Sequence, residues 1–168
     1  GFLQSKGQAT GEEASAQVSN RVSVVAAYGN VTTDEEVDYV NLSVRQSAGA
    51  DNINLSKSTI SWIGPDKAVT LTHATLSNAE VNSSTKFNTT EIKGGSNQVL
   101  VDQSDRIKII IFAGGSDQTG DGNVTTGVTG GLSAGSEVQL TITTQYGSKT
   151  TYWVNVPESL KDKSAVKL

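Results

Sequence analysis

A chain of 168 residues and 17.5 kDa with a formal net charge of −4 is long enough for one domain with a substantial core and short for two. Zero Cys excludes disulfide scaffolds, thiol nucleophiles and Cys-ligated metal centres, and leaves His73 as the one histidine. A pI near 4.9 without any Lys/Arg cluster removes the electrostatic footprint of a nucleic-acid binder, so nucleic acid is not an expected partner.

Residues 1 to 21 are poor in β-branched side chains until Val18 and read as helical, with Thr10 and Glu13 spaced as a capping box and Arg21 near the far end of the helix dipole. A frayed terminus is the competing reading, since Gly1, Gly7 and Gly11 each weaken an isolated helix by about 1 kcal/mol relative to Ala. From Val22 the texture changes to period two. In Val37 to Arg45, the residues Val40, Leu42 and Val44 share one face while Asn41, Ser43 and Arg45 share the other, the signature of a half-buried strand.

Further runs predict strands at 22–28, 53–55, 59–63, 68–72, 98–101, 106–113, 137–144 and 149–156. Eight or nine short strands specify an all-β sandwich or barrel. The last two read as a hairpin turning at Tyr146-Gly147-Ser148, with Pro157 ending the ladder. Residues 77 to 97 read as a polar, variable excursion. Residues 114 to 136 hold eight glycines and read as a long loop with at most one edge strand. The longest apolar run, Ile109 to Ala113, is far short of the roughly 20 residues of a membrane span, so the chain as given reads as a soluble piece.

The most informative motif is the triplet Asn-x-Ser/Thr, at Asn30, Asn41, Asn54, Asn82, Asn88 and Asn123, none with a central Pro. Composition alone would supply roughly two or three such triplets. Each Asn either alternates with apolar neighbours on a strand or falls in a loop-like stretch, so every one can face water and is a candidate N-glycosylation site, with at least two expected to carry glycan, which places the chain outside the cytoplasm. The competing role for Asn is turn formation, most plausibly at Asn30 after Gly29 and at Asn123 after Gly122.

Asp117, Asp121 and Asn123 put oxygen donors into a Gly-rich loop that could wrap Ca²⁺, although the EF-hand start and distal Glu are missing; a solvated turn is the alternative. No other cofactor is implied. Asp102 and Asp105 are candidates for acid–base chemistry, but at a strand entry they are expected to cap a turn and pair with Arg106. His73 has no Ser/Asp arrangement nearby and is expected to be exposed or hydrogen-bonded. Trp62 and Trp153 are expected to anchor the core; an exposed Trp62–Tyr28 or Trp153–Tyr146 pair would instead suggest a sugar platform.

The strings GFLQSKGQATGEEASAQVSNRVSVVAAYG (1–29), VDYVNLSVRQSAGADNINLSKSTISWIGPD (37–66), VLVDQSDRIKIII (99–111) and VQLTITTQYGSKTTYWVNVPESLKDKSAVKL (138–168) resemble archaeal flagellins, the archaellins, most closely those of halophilic archaea. The resemblance implies an immunoglobulin-like outer β-sandwich over 22–168, preceded by residues 1–21 as the stub of the filament-core helix. It implies a non-enzymatic subunit of the archaellum, an extracellular swimming filament, that self-associates with identical or paralogous copies and carries N-glycans on its outer domain. Family members begin with a strongly apolar helix that would contact the membrane only transiently before assembly. The present sequence starts at Gly1-Phe2-Leu3, where that helix should already have run its apolar length, and reads as a truncated subunit. A filament contact strip is expected to include the Gly-rich loop 114–136. The alternative is a cell-surface adhesion module recognising sugar or Ca²⁺.

Overall fold

The computed structural model describes residues 20–65, 67–74, 85–114 and 127–168. The strands run in chain order β1 (Val22–Val31), β2 (Val37–Gln46), β3 (Ile53–Asn54), β4 (Thr59–Ile63), β5 (Ala68–His73), β6 (Lys86–Lys93), β7 (Val99–Leu100), β8 (Arg106–Phe112), β9 (Glu137–Thr143), β10 (Lys149–Asn155) and β11 (Ala165–Lys167), with a 3₁₀ turn at Leu55–Lys57. Among the described residues nine strands form one sheet in the order β10-β9-β4-β5-β6-β8-β2-β1-β11, and β3 pairs with β7.

The sheet folds over at its weakest pairing. β5 and β6 are parallel and share only Thr72↔Lys86 and His73↔Phe87, whereas the other neighbours are antiparallel with longer ladders. The fold divides the strands into a β10-β9-β4-β5 layer and a β6-β8-β2-β1-β11 layer. Their inward residues, among them Ile60, Trp62, Leu71, Leu140 and Ile142 from one layer and Leu42, Val44, Ile107 and Ile109 from the other, join a single buried cluster. The two ends of the sheet meet on the far side, where Thr150 Oγ1 donates to the Val22 carbonyl (2.6 Å) and the Tyr152 hydroxyl donates to the Leu168 carbonyl (3.0 Å). Side-chain hydrogen bonds thereby cover edges that would otherwise recruit further strands. The β3–β7 ribbon closes one end with buried Ile53, Leu55 and Leu100.

The all-β sandwich expected from the period-two runs is the observed architecture. Strand β6 overturns the reading of 77–97 as an excursion: only Phe87 supplies a large apolar inward residue there, Thr89 takes the other buried inward place, and the alternation is masked by polar side chains. β11 was equally unforeseen, a short strand held by β1 beyond Pro157. The last part of the Gly-rich stretch does more than loop. Val128 and Leu132 are buried in the core, and Leu132 exchanges two backbone hydrogen bonds with Val37 (2.8 and 3.0 Å).

The predicted hairpin is present, with Gly147 at φ 81° accommodating the turn between β9 and β10. The predicted helix falls almost wholly outside the described residues. Its last two positions, Asn20 and Arg21, are not helical: Asn20 is buried, its side chain accepts from the Asp51 amide (2.8 Å), and its carbonyl accepts from Thr144 Oγ1 (2.8 Å). The entry to the sandwich is therefore pinned at two points.

Candidate functional site

The candidate catalytic groups resolve into structural parts. Asp105 is buried, and its carboxylate accepts from the amides of Val101 and Asp102 (3.0 Å each), closing the turn before β8. The amide of Asp102, then that of Val101, holds the Asp105 carboxyl below its usual range. Arg106 donates to the carbonyls of Gln103 (2.6 Å) and Asp105 (2.9 Å), so the expected turn cap is present and the guanidinium braces backbone. Asp102 supplies amide and carbonyl to this turn, so the two aspartates build a cap and not an acid–base pair.

His73 lies at the inter-layer fold. It is buried, its Nε2 is 2.7 Å from Thr89 Oγ1, and its ring meets Phe87 edge-on at 5.5 Å. Burial first, and Lys86 second, lower its pKa, while Nδ1 is buried without a hydrogen-bond partner. A second strained polar group sits at the start of β2: Asp38 is buried with Oδ1 unpartnered, and burial raises its pKa against the pull of its own amide and that of Tyr39. Burial and then the Asp38 charge raise the pKa of Tyr39 in turn.

The informative geometry is on the two outward faces of the sandwich. On the β6-β8-β2-β1-β11 layer, register aligns Lys167, Tyr28, Asn41, Ile110 and Asn88 in one row across five strands. The adjoining row contains Asn30 opposite Tyr39, which meets Phe112 at a ring separation of 4.9 Å. Three of the Asn-x-Ser/Thr sites thus converge on one face, which also presents Arg45, Lys108 and Lys167. Their exposure differs. Asn30 is exposed and Asn88 half-buried, but Asn41 keeps only 5% of its surface, which corrects the expectation that every site faces water. Asn41 is short and central, flanked in register by the larger Tyr28 and Ile110.

Asn54 has a local structural task as well. Its side-chain oxygen accepts from the Ser56 amide (3.0 Å) and hydroxyl (2.6 Å), capping the 3₁₀ turn with the Ser of its own triplet. Asn82 and Asn123, together with the Ca²⁺ candidates Asp117 and Asp121, lie outside the described residues. No group of three or more His, Cys, Asp or Glu that could hold a metal occurs among the described residues.

The outward face of the β10-β9-β4-β5 layer is different in kind. One row runs Lys149, Thr143, Thr59, Thr72 and the next Thr151, Thr141, Ser61, Thr70, with the Thr141 and Thr151 hydroxyls 3.4 Å apart. The third row places Trp153 (54% exposed) and Ile63 (48% exposed) on either side of Gln139. Trp62 anchors the core as expected; Trp153 does not. Tyr146 does not pair with Trp153 in any sugar platform, since it packs against the core and donates its hydroxyl to the Asn52 carbonyl (2.9 Å).

Comparison with known proteins decides what this scaffold is. The model of the archaeal-type flagellins matches residues 1–154. The chain belongs to the archaeal-type flagellin family. It is 68% identical to flagellin A2 of Halobacterium salinarum over its full length and 79% of that protein, and 33% identical to flagellin A2 of Haloferax volcanii over 98% of this chain and 79% of that protein. Its fold is similar to archaeal flagellin FlaB1 from Methanocaldococcus jannaschii (TM-score 0.70, 14% identity, 88% of this chain and 95% of that one). It is also similar to the archaeal flagellum subunit of Methanospirillum hungatei (TM-score 0.60, 20% identity, 99% and 82%). As an archaeal flagellin of the halophilic group, the chain is a structural subunit of the archaellum, an extracellular cell-surface filament in which it associates with its own kind, and it is not an enzyme.

Proposed function

We propose that residues 22–168 form the outward-facing domain of this filament subunit, that residues 1–21 lead into it from the helical filament core, and that the domain carries N-glycans. The observation that supports this most directly is the convergence of Asn30, Asn41 and Asn88 on one charged outward face, with Asn30 exposed. Two-faced sheets tolerate water on the outside while an apolar helix needs partners, so the division of labour follows from burial. In this reading Asn30, Asn54, Asn82, Asn88 and Asn123 are modified, and Asn41 is left unmodified because a glycan there would have to displace Tyr28 and Ile110. The partners are identical or paralogous flagellins, and membrane contact belongs to the family's apolar helix before assembly.

Glycopeptide mapping of filaments sheared from cells that make this chain tests the proposal. Glycan mass on Asn30 and Asn88 with an unmodified Asn41 peptide is the expected result. Unmodified peptides at all the sites would overturn the glycan reading, and amine labelling of Lys108 and Lys167 that is slower in intact filaments than in dissociated subunits would overturn the outward placement of this face.

A further inference from the structure

Resting on the reading of this chain as a filament subunit, we infer that the hydroxyl-lined outward face of β10-β9-β4-β5, with the cavity beside Trp153 and Ile63, is where a second copy of the chain seats. The cavity has a volume of about 500 Å³. Its apolar wall is Ile63, Pro65 and Trp153, and its other wall is Ala134, Gly135 and Ser136, the end of the Gly-rich stretch, with the Glu137 carboxylate beside them. Trp153 takes an outward position of β10, between Tyr152 and Val154, so a large aromatic stands where the outward positions of β9 and the rest of β10 are polar.

Three features favour a second copy over solvent or a small ligand. The first is charge: the outward positions of these four strands include only Lys149 and Glu137 as ionisable groups, Glu137 at the cavity and Lys149 at the opposite end, with Lys86 of β6 reaching Thr72 (2.9 Å) at the edge of the face. A neighbour seated on the Thr and Ser rows therefore meets few charges whose water must be stripped, a step that costs several kcal/mol per ion when the charges are left poorly paired. The other outward face lacks this property, presenting Arg45, Lys108, Lys167 and three Asn-x-Ser/Thr sites.

The second feature is area. Four strands at about 4.8 Å spacing and five residues of about 3.3 Å rise cover roughly 300 Å². A free, stable dimer needs about 800 Å² per partner. The face is too small to hold a pair of free subunits and suited to a contact repeated along a fibre, where neighbouring contacts hold each copy at high effective concentration. The third is shape. A concave cavity at one rim of the face is not its own complement and has to be filled by a different part of the next copy, the heterologous arrangement that extends into a filament instead of closing.

The test uses sheared filaments and the subunits dissociated from them, titrated with acrylamide while tryptophan fluorescence is followed. Trp62 and Trp153 are the two tryptophans of the sequence, and Trp62 is fully buried, so quenching reports Trp153. Assembly is expected to lower the quenching constant at least about fivefold, as burial in a packed interface core excludes the quencher. The chain has no Cys, so Thr151→Cys adds a unique label site; maleimide labelling is expected to slow at least about tenfold in filaments relative to subunits. Equal quenching and equal labelling in both states overturn the inference while leaving the filament reading intact. Absence of the chain from the filaments by mass spectrometry overturns both. Protection of Trp153 by free oligosaccharide in dissociated subunits, without protection on assembly, overturns it in favour of a sugar ligand.

Discussion

The two outward faces of this sandwich are built on the same pleat, from strands of similar length, over one shared core, yet they present opposite chemistry. The β6-β8-β2-β1-β11 face sets Lys and Arg side chains among three Asn-x-Ser/Thr triplets, while the β10-β9-β4-β5 face sets rows of Thr and Ser beside Trp153 and Ile63. Inward residues must satisfy the core and have little freedom. Outward residues answer to the surroundings, so their chemistry records which side meets water and which side meets a neighbour.

The largest expected effect removes what both faces share. Trp62→Ala should cost about 3–5 kcal/mol in chemical denaturation of the domain, since a fully buried indole leaves both transfer energy and a cavity behind. The next separates the faces. Ile63→Lys with Trp153→Lys should reduce recovered filaments by at least about tenfold, while the exposed sites keep domain stability within about 1 kcal/mol. Ala26→Lys, exposed on the other face, should leave filament yield unchanged, and a comparable loss there would erase the proposed distinction.

On the face with the three Asn-x-Ser/Thr triplets, Asn41→Asp should destabilise by about 1–3 kcal/mol because it places a charge at a buried position, whereas Asn30→Gln should stay within about 0.5 kcal/mol and, on the proposed glycan reading, remove the glycan mass at that site. The smallest effects are carried by pH. The lowered pKa of His73 means that the folded state binds its proton less readily than the unfolded chain, so this contribution is present above the unfolded value and is lost as pH falls through the lower folded one. His73→Gln should flatten the decline in denaturation midpoint on the acid side of pH 6.5. Asp38 has the opposite sign: its raised pKa gives a contribution present below pH 3.8 and lost as pH rises through the higher folded value, so Asp38→Asn should raise the midpoint at neutral pH.

Much of the sheet was legible because period-two alternation is a local consequence of the pleat. Val40, Leu42 and Val44, or Val138, Leu140 and Ile142, announce a buried face without reference to the rest of the chain. β6 was not legible, since Phe87 and Thr89 become an inward pair only when β8 lies alongside. Val128 and Leu132 were hidden by their glycines and enter the core through contacts with Phe112 and Val37, both distant in sequence.

The sequence by itself determined the class of fold, the absence of thiol chemistry, the six Asn-x-Ser/Thr triplets and the family, because each is written in residue type or in short-range spacing. Tertiary structure decided which triplets share a face, that Asn41 is covered between Tyr28 and Ile110, that Asp105 and His73 serve the scaffold, and that Trp153 stands outside it. Those outcomes depend on strand order and register, which are set by how distant segments bury their apolar faces together and cannot be read from any one of them.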